Sequence, residues 1–234
     1  MSQMHTLIQY PLCPGSRAIR LLMGELGLEF NCDDENPWEW RQELLAINPS
    51  GELPVLRHAE GPVISGVYAI SEFLDEDIRA QAGEKPPRTI FPGNRIDRAE
   101  IRRLVDWFLI KMSDEVTGPL LHEKIYSGYQ SGENATPDAN ALRVARDNLL
   151  YHMSYISHLT ATRSWLAGDE ISFADLVAAS QMSVADYLGE VPWEKFEDTK
   201  LWYARIKSRP TFRPLLADRI PGTEPPVQYA NLDF

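Results

Sequence analysis

Two side chains near the N-terminus have the types and the spacing of a thiol site. Cys13 lies between two prolines, and Ser16 follows three positions later, where a helical pattern begins. The free N–H groups and partial positive charge of a helix start would stabilise a thiolate, and Arg17 and Arg20 add positive charge nearby. Cysteines in such places can have pKa values lowered to roughly 3.5–7.5. The pattern therefore predicts a nucleophilic thiolate at Cys13, held in a fixed loop by the prolines.

A structural interpretation of the same residues stays open. Cys13 would then be a small buried apolar residue, and Ser16 would only cap the helix that follows. The strand–loop–helix context favours the nucleophile, because an isolated cysteine has neither a helix start nor basic side chains beside it. The second cysteine, Cys32, has no such context and is predicted to be structural. Two cysteines do not form a disulfide framework, so a reducing cytoplasm is the expected compartment.

The elements that must position this site are predicted in the first 80 residues, as a β-α-β-α-β-β-α domain. Residues 17–27 carry an apolar helical stripe that Gly27 ends. Asn36 and Pro37 are typical of the start of a second helix. LPVLRH and PVIS are short apolar strands joined by a Glu60–Gly61 turn signal. The remaining signals are a strand over residues 5–10, a helix end at Asn48–Pro49 and a helical stripe in VYAISEFLDEDI.

Strand signals disappear after this domain. The segments expected there are a Pro- and Gly-rich linker, an all-helical domain and an extended tail, over residues 81–93, 94–220 and 221–234. The first long helix of the helical domain is expected to break near Gly118–Pro119. Ser172 and Asp175 fit a capping box that starts a central helix. A catalytic role for Asp175 is much less common in such a pattern than this structural one.

The composition argues against several classes of function. A net charge of −11 argues against nucleic-acid binding, which needs basic surface to neutralise phosphates. No apolar run approaches the ~20 residues of a membrane span, and the N-terminal residues lack the pattern of a signal peptide. The five histidines show no metal-ligand spacing, so no metal is predicted. We therefore expect neither nucleic acid nor membrane among the partners.

Four motifs occur along the chain in the order in which a known protein family has them. They are C-P-x-S leading into R-x-x-R-L-L, then GELPVL, AISEFLDE and WLAGDEISFADLVAA. Together they resemble the cytosolic glutathione transferase family over nearly the whole chain, and RPTFRPLLADRIPG with the NLDF tail is similar to a bacterial branch of it. The resemblance implies an α+β fold, with an N-terminal thioredoxin-like domain (residues 1–80) and an all-helical second domain.

The resemblance also implies a glutathione site in the first domain. The C-P-x-S spelling is similar to the omega class and to glutaredoxins, in which this cysteine forms a mixed disulfide with glutathione, so Cys13 would be the nucleophile. Ser16 stands where a second cysteine often occurs and would be the backup; alternatively its hydroxyl, or that of Tyr10, would stabilise a glutathione thiolate. Family members carry a cis-proline at the position of Pro54, which lets the main chain of Leu53 pair with the cysteinyl part of glutathione.

For activity and assembly the resemblance implies a homodimeric, cytoplasmic transferase of the detoxification type. Glutathione would be its co-substrate, and a small electrophile or a disulfide would be the second substrate, in conjugation or thiol transfer. Trp107, His122 and Tyr126 lie where family members build the wall of the second-substrate site. They fit core or dimer contacts equally well.

One pair of residues departs from the family pattern. Many members read Glu-Ser or Gln-Ser before the last helix of the first domain, and this pair holds the γ-glutamyl end of glutathione. Here the pair is Gly66–Val67, whose side chains cannot form hydrogen bonds, although the main-chain N–H groups at this helix start could still bind a carboxylate and Ser65 lies one position earlier. Losing one such contact commonly costs ~1–3 kcal/mol. The alternative to an enzyme is therefore a binding or interaction module on the same fold, with weak or no glutathione activity.

Overall fold

The computed structural model describes residues 4–81, 89–131 and 136–232, and the chain divides into two compact units, Met1–Phe91 and Pro92–Phe234. Most of the predicted linker, residues 82–88, and the last two residues of the predicted tail lie outside the described residues. The domain boundaries predicted from the sequence therefore stay a prediction.

The first unit is a mixed four-stranded sheet with the order β2-β1-β3-β4. The parallel pair β1 and β2 has the register Leu7↔Cys32, and β3 runs antiparallel to both β1 and β4. This β-α-β-α-β-β-α order confirms the predicted thioredoxin-like fold. Its elements are β1 His5–Gln9, α1 Pro14–Leu26, β2 Phe30–Asp34, α2 Gln42–Ile47, β3 Val55–Arg57, β4 Val63–Ser65 and α3 Val67–Gln81.

Two helix starts in this unit differ from the prediction. Helix α1 begins at Pro14 rather than near Ser16, so that Cys13 itself is the residue that caps it. Helix α2 begins at Gln42 rather than at Pro37. The side chain of Asn36 donates to Glu39 (2.7 Å) instead of accepting a helix N–H, and Trp40 has a left-handed φ of 49°, which no helix tolerates.

The second unit is helical. Its central helix α8 (Phe173–Tyr187), the one predicted at Ser172, is buried at every residue, and α4 (Arg95–Asp106) and α9 (Glu197–Lys207) pack on it. No helix among the described residues is long and apolar enough to cross a membrane. The helices are α4 Arg95–Asp106, α5 Gly118–Leu121, α6 Ser127–Ser131, α7 Ala139–Thr160, α8 Phe173–Tyr187, α9 Glu197–Lys207 and α10 Arg213–Ala217, and the π-helical segments are Trp107–Lys111, Ser113–Thr117 and His122–Tyr126.

The predicted break at Gly118–Pro119 is wrong. Helical structure continues without interruption from Arg95 to Ser131. The N–H of Gly118 bonds to the carbonyl of Ser113, an i→i+5 bond, and a side chain on Gly118 would come within 2.8 Å of that carbonyl oxygen. The glycine thus permits a π turn, and because of this turn the helix continues through the proline that follows.

The tail is not purely extended. Val227–Ala230 forms a short 3-10 helix that buries Tyr229 completely. The Tyr229 hydroxyl donates to the Leu215 carbonyl (2.9 Å), and its ring meets that of Tyr187 edge-on at 5.2 Å. Tyr229 therefore holds this segment against the helical unit. A single buried aromatic residue in a tail produces no hydrophobic periodicity, so the sequence pattern does not predict this contact.

Candidate functional site

The loop between β1 and α1 places Cys13 at the first turn of the helix. The N–H of Cys13 donates to the Tyr10 carbonyl (2.9 Å), which closes the loop before Pro14 starts the helix. Its sulfur accepts the N–H of Ser16 (Sγ···N 3.4 Å) and donates to the carbonyl of Leu53 (3.6 Å). The thiol is therefore a helix cap that also reaches the segment before β3.

The pKa of Cys13 moves in the direction opposite to the predicted one. Burial of the thiol raises its pKa above the ordinary value, and this outweighs hydrogen bonds from Ser16 and Gly15 and the charge of Arg17. The sequence showed the helix start and the arginine, which favour the thiolate. It did not show the burial of the sulfur, which favours the neutral thiol.

Ser16 and Arg17 turn inward beside the cysteine. Ser16 is fully buried, and its hydroxyl oxygen lies 3.5 Å from the N–H of Tyr10, which donates to it. Arg17 is also fully buried, with Nε donating to the Pro11 carbonyl at 2.6 Å. Both side chains therefore fix the loop, while a role for Ser16 as backup nucleophile stays a prediction.

The segment before β3 has the geometry that the resemblance implied. The Leu53–Pro54 peptide bond is cis. The N–H of Gly66 donates to the Pro54 carbonyl at 3.2 Å, which ties the end of β4 to this segment. The carbonyl of Leu53 thereby comes within reach of the Cys13 sulfur.

Gly66 and Val67 complete the same surface with no polar side chain. Gly66 has φ +89°, a left-handed conformation that favours glycine over other residues. Val67 is buried, and a Cβ placed on Gly15 would lie 2.8 Å from its Cγ2 and 3.4 Å from Pro54. The structure thus brings the six predicted residues of the first domain together around the start of α1: Cys13, Ser16, Leu53, Pro54, Gly66 and Val67.

The three residues predicted for a second-substrate site are not all brought together. Trp107 packs on α7, with its ring 4.6 Å from that of Tyr155. His122 is exposed and Tyr126 half-buried in a later π-helical segment of the same continuous helix. His122 lies fifteen positions after Trp107 along this continuous helix, several turns away.

Sequence reasoning missed a polar chain beside Trp107. The indole N–H donates to Nδ1 of His152 (3.1 Å), and Nε2 of His152 lies 3.0 Å from Glu115, which also pairs with Lys111. Burial lowers the pKa of His152, while the Lys111 hydrogen bond lowers that of Glu115. The four-residue spacing of Lys111 and Glu115 was readable, but the contact with α7 was not.

Asp175 is a buried structural carboxylate. It accepts the N–H and hydroxyl of Ser172 (both 3.0 Å), the N–H of Leu166 (2.9 Å) and the indole N–H of Trp202 (3.0 Å). Burial raises its pKa. Ser172 and Asp175 form the capping box of α8, and the extra partners join that helix to α9 and to the loop before it.

No metal site emerges from the described residues, in which no group of three or more His, Cys, Asp or Glu side chains is arranged to hold an ion.

Comparison with known proteins gives consistent matches over the chain. Residues 12–77 match the family model for the glutathione S-transferase N-terminal domain, and residues 108–210 match the model for the C-terminal domain. The chain is 44% identical over 237 residues to FtsZ-localized protein A of Caulobacter vibrioides, covering 100% of each chain. It is 30% identical over 182 residues to glutathione S-transferase 2 of Saccharomyces cerevisiae, covering 76% of this chain and 73% of the relative. Among solved structures, a glutathione S-transferase from Sinorhizobium meliloti has a TM-score of 0.91 and 44% identity, covering 99% of this chain and 100% of that one.

Proposed function

The chain belongs to the glutathione S-transferase family, and from this premise we propose that it is an interaction module on the transferase fold that localises with FtsZ and has weak or no glutathione activity. One observation carries this choice over the enzyme: the pair at the start of α3, Gly66–Val67, has no side chain that can hold a γ-glutamyl group. The full-length likeness to FtsZ-localized protein A supports FtsZ as the partner.

The residues around Cys13 fit only part of glutathione. The main chain of Leu53, before the cis bond, suits the cysteinyl part. The γ-glutamyl part carries both a carboxylate and an ammonium group, and these need polar partners when they leave water. Gly66 has no side chain and Val67 turns buried methyl groups toward Gly15. Weak glutathione affinity follows from this mismatch.

The state of the thiol supports the same choice. A thiolate is the attacking species in both conjugation and disulfide exchange. Because burial raises the pKa of Cys13, only a small fraction is ionised near neutral pH. Cys13 then serves the fold as the cap of α1 rather than as an efficient nucleophile.

Co-pelleting with FtsZ tests the proposal. The purified chain would be mixed with GTP-assembled FtsZ of the same organism and centrifuged, with yeast glutathione S-transferase 2 as a fold-matched control. We expect the chain to pellet with the polymers in a saturable manner and the yeast protein to stay in solution. Equal behaviour of the two proteins would contradict the proposal.

The enzyme remains the second candidate, because the Cys13 thiol lies at a helix start and within reach of Leu53. In this alternative Cys13 transfers thiols between glutathione and a disulfide, or conjugates a small electrophile. Incubation with oxidised glutathione, followed by intact mass measurement of the wild type and Cys13→Ser, decides between them. An adduct that forms readily at neutral pH and is absent from the variant would favour the enzyme and a detoxification role.

The proposal includes a cytoplasmic homodimer. Its basis is family membership together with the low cysteine count, which suits a reducing compartment. Sedimentation analysis of the purified chain gives the number of copies, and a single 26.6 kDa species at micromolar concentration would contradict the dimer.

A further inference from the structure

The turn between β3 and β4, residues 58–62, is bonded to two imidazole rings. The main-chain N–H of Ala59 donates to Nδ1 of His5 at 3.2 Å. The next N–H, that of Glu60, donates to Nδ1 of His58 at 3.4 Å. Each Nδ1 must carry a lone pair to accept these bonds, so both neutral rings hold their proton on Nε2.

The main-chain hydrogen bonds of the same turn are long. The nitrogen of His58 lies 3.2 Å from the Pro62 carbonyl oxygen, and that of Gly61 lies 3.5 Å from the His58 carbonyl oxygen. The usual N···O distance is about 2.9–3.0 Å. The strand that follows, β4, has three residues and lies at the edge of the sheet. Loss of an imidazole acceptor would therefore loosen the turn and the start of this short edge strand.

The two rings also lie against each other and against α3. Their centroids are 4.6 Å apart, and the His58 ring meets that of Phe73 edge-on at 5.1 Å. Among the described residues, the charged groups that face His5 are His58, Asp77 of α3 and Glu60 of the turn. Nε2 of His58 lies 3.5 Å from a carboxylate oxygen of Asp77. One positive charge on these rings would face two carboxylates, whereas two positive charges would repel each other.

We propose that His5 is a pH-sensitive switch that holds the β3–β4 turn only while its ring is neutral. A proton taken up from water at Nδ1 converts this acceptor into a donor, so the N–H of Ala59 loses its partner and faces a second N–H. The turn then moves away from the ring, and both N–H groups bond to water. Acid thus loosens the edge strand β4. This inference goes beyond the proposed function and does not depend on it.

The environment of His5 determines the pH range of the switch. Burial lowers the pKa of His5 and the neighbouring His58 lowers it further, while Asp77 and Glu60 oppose this shift. The unfolded chain therefore takes up the proton first, at about pH 6.5. The bond to Ala59 stabilises the fold fully above that pH, and its contribution is lost as the pH falls through the lower pKa of the folded chain.

Amide hydrogen exchange of the ¹⁵N-labelled full chain, between about pH 7.5 and about pH 5, tests the inference. At the upper end of this range, long-range ¹H–¹⁵N spectra should show the His5 and His58 rings protonated at Nε2. As the pH falls, the protection factor of the Ala59 amide, corrected for the intrinsic exchange rate, should fall about fivefold, since one hydrogen bond is lost. This fall should follow the titration curve of the His5 ring.

His5→Asn is the matched variant. Its side-chain oxygen accepts a hydrogen bond near the position of Nδ1 but does not titrate, so the Ala59 amide should keep its protection in acid. His122→Asn, which replaces an exposed histidine of the second unit, should behave as the wild type does. Amide spectra of both variants establish that they are folded, and the wild-type measurements test the inference without them.

Three results would each overturn the inference. In the first, the His5 ring carries its proton on Nδ1 at the upper end of the range, which leaves no acceptor for Ala59. In the second, the protection of Ala59 stays constant in the wild type, whether or not the ring titrates. In the third, the wild type and His5→Asn lose protection equally, so that the acid-sensitive group lies elsewhere. Co-pelleting with FtsZ depends on none of these results, so the proposed function is tested separately.

Discussion

The reactivity of Cys13 depends on a balance between burial and hydrogen bonding. Two N–H groups at the start of α1 and the guanidinium of Arg17 favour the thiolate, while the packed loop favours the thiol, and burial has the larger effect on the pKa. The S–H bond to the Leu53 carbonyl also belongs to the neutral form. At this helix start, burial of the sulfur therefore outweighs the N–H groups and the guanidinium that would activate the thiol.

Alkylation rates provide the direct check on Cys13. In Cys32→Ser, which leaves Cys13 as the single thiol, the rate of reaction with iodoacetamide should rise with pH along a curve displaced to higher pH than that of a free cysteine peptide. The reason is the raised pKa of the buried thiol. Cys13→Ser measures the background at Cys32. A curve displaced to lower pH than that of the peptide would show that the helix start affects the pKa of Cys13 more than burial does.

Asp175 illustrates a second residue whose importance comes from its partners. Replacing it with alanine leaves buried N–H groups of Leu166 and Trp202 without an acceptor and removes the cap of α8. We expect a loss of about 3–5 kcal/mol in the free energy of unfolding. Urea denaturation measures it, with the exposed Asp169→Ala as control, for which a change within about 0.5 kcal/mol is expected. Similar losses in both variants would contradict the role given to Asp175.

At the scale of elements, α1 and α3 meet through a contact that admits no extra atom. A Cβ on Gly15 would lie 2.8 Å from Cγ2 of Val67, closer than side chains normally approach. Gly15→Ala should therefore destabilise the chain by about 1–3 kcal/mol, despite the better helix propensity of alanine.

A double-mutant cycle isolates this contact. Val67→Ala removes the methyl groups that the new Cβ would meet, so Gly15→Ala should cost much less in that background. The interaction energy between the two changes is expected to be at least about 0.5 kcal/mol, measured by urea denaturation of all four proteins. Additive effects would mean that strain at Gly15 arises elsewhere.

The continuous helix in the second unit gives a matched pair of glycines. A Cβ on Gly118 would lie 2.8 Å from the Ser113 carbonyl oxygen, while one on Gly128 meets nothing within 4 Å. Gly118→Ala should lower the free energy of unfolding by about 1–3 kcal/mol, and Gly128→Ala should raise it by about 0.4–1 kcal/mol. Thermal or urea denaturation measures both changes. If both variants change the free energy of unfolding in the same direction, the close approach of the Ser113 carbonyl to Gly118 is contradicted.

The element-scale errors of the sequence interpretation have a common cause. A Gly-Pro pair usually ends a helix, yet here the glycine permits the carbonyl of Ser113 to approach and the π turn continues the helix. Asn36 followed by a proline usually starts a helix, yet its side chain bonds to Glu39 instead. Local signals name residues that can turn or cap the chain, but the surrounding structure decides which hydrogen bond they make.

At the scale of the whole molecule, the sequence predicts architecture better than it predicts chemistry. The element order and the residues around Cys13 follow from periodicity and from four ordered motifs. The pKa of Cys13 and the chain from Trp107 to Lys111 through His152 depend on distant contacts that no local pattern encodes. The departure at Gly66–Val67 was readable, and it bears more on function than the features that match.

Acid should weaken the fold through His152, the member of this chain that is buried on α7. The Trp107 indole donates to its Nδ1, so the neutral ring carries its proton on Nε2 and gives it to Glu115. Burial lowers the pKa of His152 below that of the unfolded chain. The stability it contributes is therefore complete above the unfolded pKa, about 6.5, and is lost as the pH falls through the folded value, because the unfolded state takes up the proton first.

His152→Gln keeps both hydrogen bonds without a titrating group, so its free energy of unfolding should fall less than that of the wild type between about pH 7.5 and about pH 5.5. Urea denaturation across this pH range measures the difference. If the free energy of unfolding falls equally with pH in the two proteins, groups other than His152 are responsible for the loss of stability in acid.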